Sequence, residues 1–331
     1  MQHRRFSLRA LLIGIALVAV AFVPIALGWA QYRIAETRIQ IDTITEIKSA
    51  RGAVEFHDDL YPCPLWLQER FVDEPIRCVK SVVFDFEDHP KTTQTHIERL
   101  ACFSKLEALN VQGNGLRGNG FASLDQLRHF KMLDVAHNPL SDKGFRNIGQ
   151  LQNLTQLNIG STGASDLQMP EIAQLRTLQW LAIGGNSVTD AGLAHLAKLR
   201  NLKYLSLYRQ PITDVGLKHV GRFRQLESLV LTGTRIEGFG LRHLARLSKL
   251  SMLRLSQTGI TDDDLRHLAH HKNLQTLFLD RTNVTDAGMV HLRGLPDLQN
   301  LFLYETQVTS DRIAELVAEL PKLKTVKLGP Y

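Results

Sequence analysis

Leucine returns every 24 residues along this chain, and that spacing leaves few folds open. Aligned on one position, the series runs Leu106, Phe130, Leu154, Leu178, Leu202, Leu226, Leu250, Leu274 and Leu298, and a shortened last unit starts at Leu323. Each unit reads close to LxxLxLxxTxIxDxGLxxLxxL. Self-similarity at a period of roughly 20–29 residues, with leucines at these offsets, marks a chain that stacks one supersecondary unit on the next as a solenoid. Such a stack presents long surfaces and no enclosed crevice.

Two periods lie inside each unit. In Leu274-Gln275-Thr276-Leu277-Phe278-Leu279 the last two leucines alternate with other residues, so both face one side of a short strand. A turn follows, in which the short polar side chain of Thr282 can bond backbone groups that would otherwise be unpaired. Thr285-Asp286-Ala287-Gly288-Met289 then starts a helical segment, with Thr or Asp as N-cap and an acid near its positive end. Met289, Leu292 and Leu295 fall at i, i+3 and i+6 on one face of it. No unit buries these residues alone; stacked neighbours bury them together. The expected fold class is α/β: a right-handed, curved solenoid with parallel strands on its concave face.

The phrase ITDxGLxxLxxLxxLxxLxL opens as Val188-Thr189-Asp190-Ala191-Gly192-Leu193, as Ile212-Thr213-Asp214-Val215-Gly216-Leu217 and as Val284-Thr285-Asp286-Ala287-Gly288-Met289. On this phrase the chain resembles membrane-anchored bacterial leucine-rich repeat proteins. Its repeats are also similar to the subtype found in eukaryotic F-box adaptor proteins, although no F-box-like helical segment is read ahead of them. The resemblance implies a leucine-rich repeat solenoid over about two thirds of the chain. It leaves the ligand open, because such repeats carry unrelated partners. Units nearer the amino terminus depart from the phrase: Asn114-Gly115-Leu116-Arg117-Gly118-Asn119-Gly120 has no Thr-Asp cap.

Ala10 to Ala30 is a run of 21 residues without a charge. At about 1.5 Å per residue it is long enough to span about 30 Å of hydrocarbon. Arg4, Arg5 and Arg9 precede it, which favours a cytoplasmic amino terminus, and Trp29 and Tyr32 suit the far interface. The run is longer than the roughly 7–15-residue apolar core of a cleaved signal peptide, although Ala26-Leu27-Gly28 is a passable cleavage site. The expectation is one uncleaved transmembrane signal anchor, with the repeats outside the cytoplasmic membrane of a bacterial envelope.

Residues 31–52 read as a helix carrying Ile34, Ile41, Ile44 and Ile47, suited to docking on the solenoid or pairing with another copy. Residues 53–103 read as an amino-terminal cap, and 104–331 as the repeats. Three cysteines give an odd count: outside the cytoplasm Cys63 and Cys78 could pair, or they and Cys102 all stay thiols.

The net charge of +6 is unevenly spread. Residues 198–254 hold twelve Lys or Arg against Asp214, Glu227 and Glu237, a local +9. The repeat arranges these cations in columns: Lys198, Arg222 and Arg246, and likewise Lys218, Arg242 and Arg266. They fall in the helical half of each unit and are expected on the convex side, where they could attract an anionic envelope polymer or lipid headgroups. Nucleic acid is not expected in that location. A histidine column, His195, His219, His243, His267 and His291, suggests metal at first sight. Yet zinc needs converging ligands at about 2 Å, whereas successive coils place these rings along a line roughly 5 Å apart. No metal and no cofactor are expected.

The concave face is the expected binding surface. Its outward positions gather Trp180, Tyr204 and Tyr208, with Arg209 beside them, in the middle repeats. Phe278, Phe302 and Tyr304, with Arg254, Asp280 and Arg281, gather in the carboxy-terminal third. Exposed aromatics with arginine are the residue types of binding hot spots. No glycine-rich phosphate loop, GxSxG or HExxH occurs. The expected function is therefore a non-enzymatic, protein-binding scaffold. The alternative is a binder of anionic envelope polymer or glycan through the basic middle repeats.

Overall fold

The computed structural model describes residues 35, 38–49, 52–60, 77–84 and 93–329. The expected span from Ala10 to Ala30 and the Cys63–Cys78 pairing lie outside the described residues and side chains. Among the described residues no helix is long and apolar enough to cross a membrane.

Among the described residues twelve strands form one sheet in sequence order. β1 (Gly52–Leu60) and β2 (Arg77–Phe84) are antiparallel. Ten three-residue strands follow, one per coil. They are β3 (Ala108–Asn110), β4 (Met132–Asp134), β5 (Gln156–Asn158), β6 (Trp180–Ala182), β7 (Tyr204–Ser206), β8 (Ser228–Val230), β9 (Met252–Arg254), β10 (Thr276–Phe278), β11 (Asn300–Phe302) and β12 (Thr325–Lys327). All of these are parallel, and the 24-residue period sets their register: Leu109 pairs with Leu133, Leu205 with Leu229, and Leu277 with Leu301. The central leucine of each strand from β3 to β11 points inward, and Leu157, Leu181, Leu205, Leu229 and Leu253 are all fully buried, while β12 carries the partly buried Val326 there. Strands stack at about 4.8 Å whereas α-helices need about 10 Å, so the sheet takes the inner side of the curve.

The turns after the strands are built from repeated hydrogen bonds. Thr162 and Thr282 donate their hydroxyls to the carbonyls of Ile159 and Leu279, at 2.7 and 2.6 Å. At the same position in other coils, Asn138 and Asn186 also reach the preceding coil. Asn138 donates to the Val111 and Val135 carbonyls and accepts from the Leu116 amide. The residue closing each strand turn is left-handed: His137, Ser161, Arg209, Gln257, Arg281 and Glu305 have φ between 53° and 57°.

The Thr-Asp-x-Gly phrase starts the helical segments as expected, with Thr189, Thr213 and Thr285 as N-caps accepting the Ala191, Val215 and Ala287 amides, and it is also a contact between coils. Asp190 accepts the Thr213 amide at 3.0 Å and its hydroxyl at 2.6 Å, one coil on. Asp166 does the same for Thr189, and Asp262 for Thr285. The glycine of the phrase leaves room for that carboxylate: a Cβ on Gly216 would lie 2.2 Å from Asp190 Oδ1.

The helical segments are α in Asp190–Leu196 and Asp214–Val220 but 3₁₀ in Phe239–Arg246, Asp262–His270 and Asp286–Gly294. Three residues per turn put i, i+3 and i+6 on one line, which suits Met289, Leu292 and Leu295, all fully buried.

At the first edge, β2 pairs with β3 and places Val82 against Leu109. The helix over 38–49 also docks there: Ile47 is buried and Ile44 packs against the core. Gln40 Nε2 donates to the Cys102 carbonyl at 3.1 Å, and Glu46 pairs with Arg99. Ile41 departs from the expected apolar stripe, being 41% exposed, because the buried face runs through Gln40, Thr43 and Ile47 instead. Cys102 is half-buried, with Sγ 3.9 Å from Thr43 Oγ1.

Candidate functional site

The strand face brings together both sets of aromatics expected from the sequence. Trp180 on β6 and Tyr204 on β7 occupy paired positions, so one-coil stacking lays their rings face to face at 4.7 Å and 7°. Both are half-buried. Tyr208, just beyond β7, is exposed, and the Arg209 guanidinium lies 5.0 Å from its ring centre. The left-handed backbone of Arg209 sets that placement. Gly184 makes room for Tyr208: a Cβ there would come within 2.9 Å of Tyr208 Cβ.

Four coils on, Phe278 and Phe302 stack at 4.2 Å and 5°. Arg254 covers the other face of this pair, 4.0 Å from the Phe278 ring centre, and forms no ion pair among the described residues. Cation–π contact of this kind contributes about 0.5–1 kcal/mol at exposed sites. A cleft of about 250 Å³ opens beside the stack, lined by Arg254, Gln257, Phe278, Asp280, Arg281 and Tyr304 with Thr232 and Ser256. Arg281 pairs with Glu305 and lies 5.6 Å from the Tyr304 ring centre. The Arg281 hydrogen bond holds the Glu305 carboxyl below its ordinary pKa, and the same carboxylate raises the Tyr304 phenol.

Two residues differ from the sequence expectation. Asp280 is buried and already committed: it accepts the Ser256 hydroxyl and the Tyr304 amide, each at 3.0 Å. It supports the cleft rather than offering an exposed carboxylate. Phe278 is only 7% exposed, because Phe302 and Arg254 cover it. Gln257 and Glu305 were not singled out in the sequence. Their signal was the 24-residue column through Arg209 and Arg281, where the left-handed turn aims side chains beside the strand face.

The cations of the alternative face are exposed, but not in one place. Lys218, Arg242, Arg246 and Arg266 lie on helical segments, and Arg242 covers the Phe239 ring at 3.5 Å. Lys198 and Arg222 were expected there too. They instead follow Leu196 and Val220, in the turns that lead back to the strands.

The histidine column lies along the helical segments, one ring per coil. Among the described residues no group of three His, Cys, Asp or Glu side chains converges on a metal position. Loss of solvation, then the Arg222 and Lys218 charges, lower the pKa of His219. His243 and His267 are lowered the same way, first by burial and then by Arg242 and Arg266 respectively. Buried His271, outside the column, is lowered by desolvation against a bond to the Leu247 carbonyl that raises it. A base depressed in the fold binds protons more readily when unfolded. Its stability contribution is therefore complete above the unfolded value of about 6.5 and is lost as pH falls through the lower folded values. The melting temperature is expected to be lower near pH 5 than near pH 7.5. His271→Gln should flatten part of that slope; an unchanged slope would show that His271 does not contribute to it.

A Leucine Rich repeat family model matches residues 126–149, one coil of the stack. No curated protein matches the chain in sequence. Among solved structures, the mouse RP105/MD-1 complex contains a chain 20% identical, with a TM-score of 0.54 over 70% of this chain and 39% of that one. This chain thus spans well under half of the mouse chain's length. An internalin from Listeria monocytogenes is 20% identical over 80% of this chain and 93% of its own, with a TM-score of 0.49. A leucine-rich repeat protein of Leptospira interrogans is 20% identical over 69% and 74%, with a TM-score of 0.40. The matched coil, its in-register copies and the fold shared with the mouse chain identify the architecture as a leucine-rich repeat solenoid.

Proposed function

We propose that this chain is a non-enzymatic scaffold that captures a protein partner on its strand face. The observation that carries the reading is two stacked aromatic pairs on one parallel sheet, Phe278–Phe302 covered by the Arg254 guanidinium and Trp180–Tyr204 neighboured by Tyr208, whose ring carries Arg209. Stacked rings on a fixed backbone lose little conformational freedom on binding, and aromatic and arginine side chains dominate protein interfaces. The mouse neighbour is itself described as a complex with a second protein. We propose further that Ala10 to Ala30 anchors the chain in the cytoplasmic membrane with the solenoid outside. That part rests on the apolar run and on Arg4, Arg5 and Arg9 before it.

The test is capture from envelope extract with the full chain and two paired variants. Tyr204→Ala with Tyr208→Ala should weaken the captured partner by at least about 2 kcal/mol, roughly 30-fold, with an unchanged far-UV spectrum. Lys218→Ala with Arg242→Ala should do little in moderate salt. The reverse pattern, with binding that collapses between low and high salt, would transfer the function to an anionic polymer on the basic side. For the topology, protease added to intact spheroplasts should degrade the repeats. Protection until lysis would overturn the external placement.

A further inference from the structure

The turns that lead from the helical segments back to the strands gather a cluster of cations that is separate from the aromatic positions of the strand face. Arg176, Lys198, Arg200, Arg222 and Arg224 line one open groove of about 940 Å³ across three successive coils. The rest of its lining is small or neutral: Ala194, Ala197 and Gln225. No acidic side chain lines it, and among the described residues none of the five cations is in an ion pair.

Backbone geometry holds the array in place. In each coil the same tight turn recurs, with an amide bonding the carbonyl two residues back. The bonds are Arg176 to Gln174 at 2.8 Å, Arg200 to Lys198 at 3.0 Å and Arg224 to Arg222 at 3.0 Å. Between the flanking residues sit Leu175, Leu199 and Phe223, each fully buried. The turn therefore pins one apolar residue in the core and directs its neighbours outward. Arg176, Arg200 and Arg224 form a column at the 24-residue period, alongside Lys198 and Arg222. Holding five like charges together without counter-ions is unfavourable, and a polyanion relieves that repulsion.

We propose that this groove binds a short acidic segment, rich in Asp and Glu, of a protein partner. Four of the five cations are arginine, whose planar fork matches a carboxylate with two parallel hydrogen bonds. The groove has no aromatic ring on which a nucleic-acid base could stack. Its three coils, about 4.8 Å apart at the strands and up to about 10 Å apart at the helical segments, cover roughly 10–20 Å, the span of three to six extended residues at about 3.3 Å each.

The experiment is fluorescence anisotropy of a labelled oligoglutamate peptide with the full chain in neutral detergent. Saturable, salt-sensitive binding is expected. Arg200→Glu with Arg224→Glu should weaken it at least about tenfold, and Lys218→Glu with Arg242→Glu at most about twofold. All four side chains are exposed, so unchanged melting temperatures should confirm that both variants fold. Three results would overturn the proposal. One is no binding. Another is equal loss in both variants, which would mean a diffuse field rather than a groove. The third is tighter binding of a single-stranded oligonucleotide or a polyuronate through Arg200 and Arg224.

Discussion

Replacing Leu229 by Asp is expected to unfold the solenoid. Leu229 is the central residue of β8, fully buried between Leu205 and Leu253 on the neighbouring strands. Nothing in that position can pair with a carboxylate, so the substitution removes apolar contacts and buries an unpaired charge. Together these cost about 5 kcal/mol or more, comparable with the roughly 5–15 kcal/mol that stabilises a typical domain. Each coil contacts only its neighbours, so a defect in the middle cannot be bypassed and separates the two halves. A thermal melt followed by far-UV circular dichroism should show either no transition or a split one. His243→Ala, a half-buried position on the outer side, should cost far less, and a chelator should leave the melt unchanged. A native-like single transition for the Leu229 variant would refute the stacked-core account. A large loss of stability on chelation would restore the histidine column as a metal site.

Much of this architecture could be read from the period alone. Inward leucines, strand register and the Thr282 turn all follow from side chains repeating at fixed offsets, because each coil solves the same burial problem. What resisted reading were contacts between coils and conformations without a residue signature. Thr-Asp-x-Gly is the local helix start that its residues indicate, with Thr189 accepting the Ala191 amide, but it is also a contact no single unit reveals: Asp190 serves Thr213 in the next coil and Gly216 makes room for it. The choice between α and 3₁₀ is equally hidden: Asp190-Ala191-Gly192-Leu193 opens an α-helix and Asp286-Ala287-Gly288-Met289 a 3₁₀ segment. In the candidate site, the column arithmetic brought Trp180 next to Tyr204 and Phe278 next to Phe302, since parallel in-register strands leave no other arrangement. It could not show that Asp280 spends its carboxylate on Ser256 and the Tyr304 amide, because alternation gives the side a residue faces and not its hydrogen bonds.

That limit governs how the carboxy-terminal cluster should be probed. Phe278→Ala is expected to lower stability by about 3 kcal/mol, near the low end for large-to-small aromatic changes. Phe278 is 7% exposed, with Phe302 stacked on one face of its ring and Arg254 over the other. Truncation removes both partners' contacts and opens a gap beside buried Asp280, which the three-residue strands cannot close without losing register. Tyr208, at 39% exposed, has no such role, so Tyr208→Ala should leave the unfolding midpoint in denaturant within about 0.5 kcal/mol of the parent. Phe302→Ala should fall between the two, because its ring is half-buried and covered by Phe278 on one side. Urea titrations of the three variants measure this order directly. A Phe278 variant as stable as the parent would mean that the ring lies free on the surface, and it would then be as clean a probe of binding as Tyr208.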